Sequence, residues 1–345
     1  MMQTLPVEAE GHVADARRRA VALAESGGFS ETDAGRVAIV TTELATNLKK
    51  HGGGGEILAA LFADETGAGL ELIALDRGPG MADVAACQED GYSSAGSAGQ
   101  GFGAIRRLSD AMAVASWPGL GTAVAVRLVR SPRPRRLAWP AIGAVSVALA
   151  GEEVCGDAWA ARQGSGGCAE VLVADGLGHG PGAATAAVEA VRVFRAAEEG
   201  TAPRRLLEIA HQALKATRGA AVATARIERE ARRVVFCGLG NVAGVIVRPA
   251  GVRRLVSHNG TAGLALHRLA EFAEPFGAAD RLVLHSDGLT TSWSLDRYPG
   301  LAEAPPIVAA ALLYRDHARG RDDVTVLVAG PFADRTDGTP EGAAS

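Results

Sequence analysis

Residues Glu170-Val-Leu-Val-Ala-Asp-Gly176 set an unbroken apolar run directly before an Asp-Gly pair, the pattern of a buried strand that ends in a tight turn. One such ending is usually a turn and nothing more. The same arrangement recurs at Leu282-Val-Leu-His-Ser-Asp-Gly288, and further aspartates border strand-like runs at Cys155-Gly-Asp157 and Arg321-Asp-Asp323. Carboxylates brought together from separate strand ends repel one another unless cations lie between them, and an all-oxygen set suits a hard ion, Mg²⁺ or Mn²⁺. Two such ions can lower the pKa of a water and aim it in line at a phosphoester, so no side-chain nucleophile is required. Consistent with that route, none of the four cysteines has an arginine six residues later, as a thiol phosphatase loop would need. His179 can serve as a general acid or simply cap a helix.

Around this segment, apolar runs at 142–150, 168–174, 222–228, 232–238, 244–248, 281–285 and 323–329 predict strands. Helical periodicity falls near 182–198, 203–216 and 304–317, which predicts two packed sheets flanked by helices. Upstream, Arg130-Ser-Pro-Arg-Pro-Arg-Arg136 interrupts the pattern and reads as a linker. The 345 residues therefore divide into a domain at 8–130, a linker at 131–140, a second domain at 141–331 and a polar, disordered tail at 332–345.

In the first domain the pattern predicts helices at 11–25 and 31–50, strands at 56–63 and 70–76, a short helix near 103–109, and strands at 111–117 and 121–128. Ser30 with Asp33 caps the second helix. The expected result is a mixed sheet covered by helices on one face. Glu43-Leu-Ala-Thr-Asn47 puts a carboxylate and an amide one turn apart on that helix, with Lys50 a turn further on. Asn47 can complete the shell of a Mg²⁺ carried by a nucleotide, and Glu43 can orient or deprotonate the group that attacks the γ-phosphate. A strand then ends in Asp76-Arg-Gly78-Pro-Gly80, where a carboxylate can accept a base's exocyclic amine. Gly99-Gln-Gly101-Phe-Gly103 opens a helix whose free amides suit phosphate, and Gly121-Thr122 offers one more hydroxyl toward the phosphates.

The bulk numbers exclude other classes. A net charge of −4, a pI near 6.1 and 4% aromatics lack the basic, stacking surface of a nucleic-acid binder. No apolar run reaches the roughly 18 residues of a membrane span and the N-terminus lacks a signal-peptide pattern, so the expectation is a cytoplasmic protein without a membrane partner. Cys87, Cys155, Cys168 and Cys237 have no metal-finger or Cys-x-x-Cys spacing, and read as reduced thiols.

The order and placement of Glu43–Asn47, Asp76–Gly80, Gly99–Gly103 and Gly121–Thr122 resemble the N, G1, G2 and G3 boxes of the GHKL ATPases. Asp90-Gly-Tyr-Ser-Ser94 running into Gly101-Phe-Gly-Ala-Ile-Arg-Arg-Leu108 looks most like the RsbT-type switch kinases of bacterial stressosomes. The resemblance implies a GHKL α/β sandwich that binds ATP with Mg²⁺, with Glu43 as base and Asn47 as magnesium ligand. Asn47, Lys50, Asp76, Gly78, Gly80, Gly99, Gly101, Gly103 and Thr122 would line the nucleotide site.

Gly156-Asp-Ala-Trp159, Val173-Ala-Asp-Gly-Leu-Gly-His-Gly180, His285-Ser-Asp-Gly-Leu289 and Asp322-Asp-Val-Thr-Val326 resemble the PPM phosphatases of the SpoIIE class. Arg218-Gly-Ala and Gly240-Asn241-Val are similar to the short RsbX-type members. This second resemblance implies an α+β fold, a β-sandwich flanked by helices, holding two Mn²⁺ or Mg²⁺. Asp175 with the carbonyl of Gly176 would bridge the ions, Asp157 would hold one, and Asp287 and Asp322 the other; Asp323 falls at a non-ligand position. Together the resemblances imply opposed kinase and phosphatase activities on STAS-domain proteins, unphosphorylated and phosphorylated. The alternative is a phosphatase whose nucleotide-binding domain only recruits a partner or gates the second half.

Overall fold

The computed structural model describes residues 1–84, 101–131, 137–266 and 268–332. Gly99, Cys87, the 90–94 segment, residues 132–136 of the expected linker and the tail from 333 lie outside the described residues.

The first half contains β1 (Gln3–Val7), α1 (Glu10–Ser26), α2 (Glu31–His51), β2 (Gly55–Asp64), β3 (Gly67–Leu75), α3 (Gly101–Leu108), β4 (Ala111–Trp117) and β5 (Gly121–Val129). Its five strands run β1-β2-β3-β5-β4, and every neighbouring pair is antiparallel. The expectation of a mixed sheet is thus corrected. The short reversals at Glu65-Thr66 and 118–120 can join only antiparallel neighbours, whereas a parallel pair needs a long crossover. Strand β1 lies before the expected domain start at residue 8; five residues with Pro6 among them carry too little alternation to signal a strand.

Helix α2 begins where Ser30 Oγ accepts the amide of Asp33 at 3.2 Å, and its last turn carries Lys49, Lys50 and His51 against the helix dipole. Val37, Val40, Leu44 and Leu48, spaced three or four apart, bury the face that meets the sheet. The flank beside that face turns Glu43 and Asn47, both half-buried, toward the start of α3.

The second half contains β6 (Ile142–Val147), β7 (Asp157–Gln163), β8 (Ala169–Gly176), α4 (Pro181–Ala196), α5 (Pro203–Ala213), β9 (Ala220–Glu228), β10 (Arg233–Leu239), β11 (Ala243–Arg248) and β12 (Gly251–Leu255). Short pieces β13 (Ser257–His258), β14 (Gly260–Thr261), β15 (Ala265–Leu266) and β16 (Phe272–Pro275) precede β17 (Arg281–His285), α6 (Pro306–His317) and β18 (Val324–Ala329). One sheet runs β13-β10-β9-β8-β7, with β16 also on β10, and the other runs β12-β11-β17-β18-β6. Val171, Val173, Phe236, Ile246, Leu284 and Leu327 fill the space between the sheets. Helices α4 and α5 cover the outside of the first. The sequence did not signal β7 or β12, because Asp-Ala-Trp-Ala-Ala-Arg-Gln and Gly-Val-Arg-Arg-Leu have no long apolar run and stay partly exposed.

Helix α6 is buried on every side along 306–313, as expected only of a helix packed between two layers. One layer is the β6-containing sheet, and the other is the far face of the first half's sheet: Leu58, Ile73, Leu75 and Ala123 share a core with Ile307, Val308 and Leu312. This packing explains why all nine residues of β5 are buried. Met2 extends the same seam by donating its amide to the Ser146 carbonyl at 2.8 Å. Phe332, assigned to the tail from sequence, is buried against Phe276 and so packs with the second half. Among the described residues no helix is long and apolar enough to cross a membrane.

Candidate active sites

The first site forms where α3 begins against α2. Gly101 lies so close to both helix residues that an added Cβ would come within 2.9 Å of Glu43 Oε2 and 3.5 Å of Asn47 Oδ1. Asn47 Nδ2 is buried without a hydrogen-bond partner among the described residues, an unpaired donor facing this gap. At the end of β3, Asp76 Oδ1 accepts the amides of Gly78 at 2.8 Å and Thr122 at 3.1 Å. Burial pushes the Asp76 carboxyl up, while those two amides oppose the shift. A Cβ on Gly78 would stand within 2.9 Å of the Gly52 backbone and the His51 carbonyl, and Gly80 adopts φ +69° beneath the Trp117 carbonyl, so neither position accepts a side chain.

Three expected residues take other places. Thr122 Oγ1 shares a hydrogen bond with Ser116 Oγ at 2.9 Å and its amide serves Asp76, so this residue belongs to the Asp76 end and not to a phosphate end. Lys50 is exposed at the end of α2, and its neighbour Lys49 pairs with Glu10 at 3.0 Å. Gly103 is buried inside α3 and serves packing.

The second site forms at the ends of β7, β8 and β17. Asp157 and Asp175 are directly paired across β7 and β8. Burial, then the charges of Asp157, Asp287, Asp322 and Asp323, push Asp175 up to about 8; burial, with Asp323 and Asp322, pushes Asp157 up to about 7. Five carboxylates from four strand or loop ends therefore act on one region. Asp287 Oδ2 accepts Asn241 Nδ2 at 2.6 Å, and Asp157 Oδ2 accepts Ser286 Oγ at 2.6 Å. Asp322 is half-buried, and His179, held by Glu152 at 2.6 Å, lies near enough to offset part of its charge. Gly176 cannot carry a side chain, because a Cβ would stand 2.1 Å from the Ala183 carbonyl.

As placed, no three His, Cys, Asp or Glu side chains among the described residues close on a single point. The gathered carboxylates still fit divalent cations. Asp323 Oδ2 is buried with no hydrogen-bond partner among the described residues, and burial together with the neighbouring acids pushes the Asp157 and Asp175 carboxyls up. Either mismatch disappears when positive charge enters.

Residues 5–128 match the family described as Histidine kinase-like ATPase domain, and residues 165–331 match Stage II sporulation protein E (SpoIIE). Serine/threonine-protein kinase RsbT of Bacillus subtilis (strain 168) is 35% identical over 115 residues, covering 33% of this chain and 86% of that protein. The chain is an RsbT-family ATPase domain joined to a SpoIIE-family phosphatase domain. A solved chain described as "The bacterial stressosome: a modular system that has been adapted to control secondary messenger signaling" is 27% identical, with a TM-score of 0.52 over 55% of this chain and 98% of that one. The fusion is an enzyme of the serine/threonine phosphatase type carrying a kinase-related domain.

The SpoIIE-family half contains residues that the sequence motifs include but to which they gave no site role. Asn241 and Ser286 orient two of the acids, and Asp323, left out as a non-ligand, is buried at 3% exposure with Oδ1 on the Leu149 amide. Polar side chains beside Asp-Gly turns were the available signal. Arg218 lies over the first turn of α4, where a Cβ on Gly182 would meet its Nε at 2.5 Å. Its neighbour Gly219 accepts the amide of Leu177, one residue past Gly176.

Proposed function

We propose that the two halves carry opposed chemistries on one class of target in the cytoplasm: transfer of the ATP γ-phosphate to a serine or threonine of a STAS-domain protein, and its hydrolytic removal. The observation that carries this reading is the contact of Gly101 with both Glu43 and Asn47 in the first half, beside an acidic cluster in the second.

In the kinase half Asp76 would accept the adenine amine, Gly78 and Gly80 would admit the base edge, and the α3 amides at Gly101 would face phosphate. Asn47 would hold the Mg²⁺ of the nucleotide, and Glu43 would take the proton from the attacking hydroxyl. In the phosphatase half Asp157, Asp175, the Gly176 carbonyl, Asp287 and Asp322 would hold two Mn²⁺ or Mg²⁺. Bound ions of this kind supply Lewis acidity, acidifying a water and offsetting phosphoryl charge. Asn241 and Ser286 would fix carboxylate orientation, and Arg218 would face the phosphoryl oxygens.

A second reading, a nucleotide-gated phosphatase without transfer, is favoured by the core that α6 shares with both halves. Incubation with γ-labelled ATP and purified STAS domains separates the two. Label on the STAS protein, lost in Glu43→Gln, supports transfer; nucleotide binding with no label leaves gating. Release of that label with Mn²⁺, absent in Asp175→Asn, tests the phosphatase.

A further inference from the structure

Arg315 on α6 is buried, at 6% exposure, and all three guanidinium nitrogens are used. Nη1 donates to the backbone carbonyl of Asp76 at 2.7 Å, Nη2 to Tyr298 Oη at 3.0 Å, and Nε to Asp316 Oδ1 at 2.9 Å. In return, the Arg77 guanidinium donates to the Arg315 carbonyl. The turn that presents the Asp76 carboxylate is therefore gripped from the phosphatase half. Trp117 completes the clamp, with its ring 4.7 Å from Tyr298 and Nε1 on the Pro299 carbonyl at 2.9 Å.

The same end of the helix, within four residues of Arg315, also grips the other site. The Thr290 amide donates to the His317 carbonyl at 3.0 Å, and the Arg319 amide to the Gly288 carbonyl at 2.8 Å. Gly288 directly follows Asp287, and a Cβ there would stand 2.0 Å from the Asp323 carbonyl, so this turn has no slack. Asp322 lies three residues past Arg319.

We propose that Arg315 is a positioning residue for the nucleotide site, supplied by the phosphatase half, and that α6 couples nucleotide occupancy at Asp76 to the Asp287–Gly288 turn of the metal site. This rests on the reading of Asp76 as the base-recognising carboxylate. A displacement of Asp76 on binding moves the hydrogen-bonded partner of Arg315, and Arg319, two residues past the end of α6, is bonded to the neighbour of a metal-site acid. Only four residues separate the Arg315 grip from the Arg319 bond, and the body of α6 behind them is buried along 306–313, so a shift passes between the two turns without a hinge. Coupling of this kind is reciprocal, so metal at Asp287 must alter nucleotide affinity by the same factor.

The test uses the full chain and MgADP, which binds without transfer. Displacement of a fluorescent ADP gives affinity, and amide hydrogen exchange with and without MgADP reports on 286–290 and 317–322. The wild type is expected to slow exchange in both segments when MgADP binds. Arg315→Met should weaken MgADP roughly tenfold and abolish the protection at 286–290, while Arg315→Lys should recover part of the affinity. If Arg315→Met does not fold, Arg77→Ala, whose side chain is 70% exposed, removes the reciprocal bond and should reduce the protection. Affinity lost in Asp76→Asn but unchanged in both Arg315 variants overturns this inference alone, as does tight MgADP binding with no change at 286–290. Failure of the wild type to bind MgADP overturns the nucleotide reading along with it.

Discussion

Asp157 and Asp175 stand opposite each other on neighbouring antiparallel strands, and Ser286 Oγ ties one oxygen of Asp157 from a third strand end. Without cations this arrangement costs stability, since a buried and a half-buried carboxylate at a paired position repel across a short gap. Asp175→Asn is therefore expected to lower Mn²⁺-dependent phosphate release by at least about 100-fold. The same substitution should raise the melting temperature of the metal-free protein by about 1–3 °C. Calorimetry in a chelator checks the second half; a lower midpoint would mean that Asp175 supports the fold.

Addition of Mn²⁺ to the wild type should raise the melting temperature in a concentration-dependent manner, by about 2.7 kcal/mol of stability at 100 times the dissociation constant. Asp175→Asn should lose most of that shift. An identical metal response in both proteins would place the cations elsewhere.

Gly101 and Gly121 predict opposite outcomes for the same change to alanine. A Cβ at Gly101 meets the end of the flexible Glu43 side chain, which can move away, so Gly101→Ala should leave stability within about 1 kcal/mol. Glu43 is displaced in the process, and labelled-phosphate transfer should fall. At Gly121, with φ +78°, the Cβ meets the Asp76 carbonyl at 2.2 Å, and backbone cannot yield, so Gly121→Ala should cost about 2–3 kcal/mol in urea unfolding.

Much of this arrangement was legible because its signals are local. The helix holding Glu43 and Asn47, the strand ends at Asp76, Asp175 and Asp287, and the glycines around them can each be read from a few adjacent residues. Three features were not. Strand β1 depends on pairing with β2 across two intervening helices, β7 is a polar-faced edge strand, and the burial of β5 on both faces depends on a helix more than 170 residues later. Long-range packing decides all three, and periodicity cannot report it. The place of Thr122 was misread for a similar reason, since Ser116 claims its hydroxyl only after β4 pairs with β5.

The pair Glu71 and Arg127, opposite each other on β3 and β5, gives the last prediction. Arg127 Nε donates to Glu71 Oε2 at 2.7 Å and Nη1 to Asp64 Oδ2 at 2.7 Å, with the guanidinium 4.2 Å from the Phe62 ring. Burial pushes the Glu71 carboxyl up and the arginine opposes it, so the carboxylate depends on its partner. Arg127→Met strands that charge and should cost about 3–5 kcal/mol in urea unfolding. Adding Glu71→Leu removes the stranded group, and the double variant should recover at least about half of the loss. If the second substitution deepens the loss instead, packing around Arg127, and not its charge, is what holds this part of the sheet.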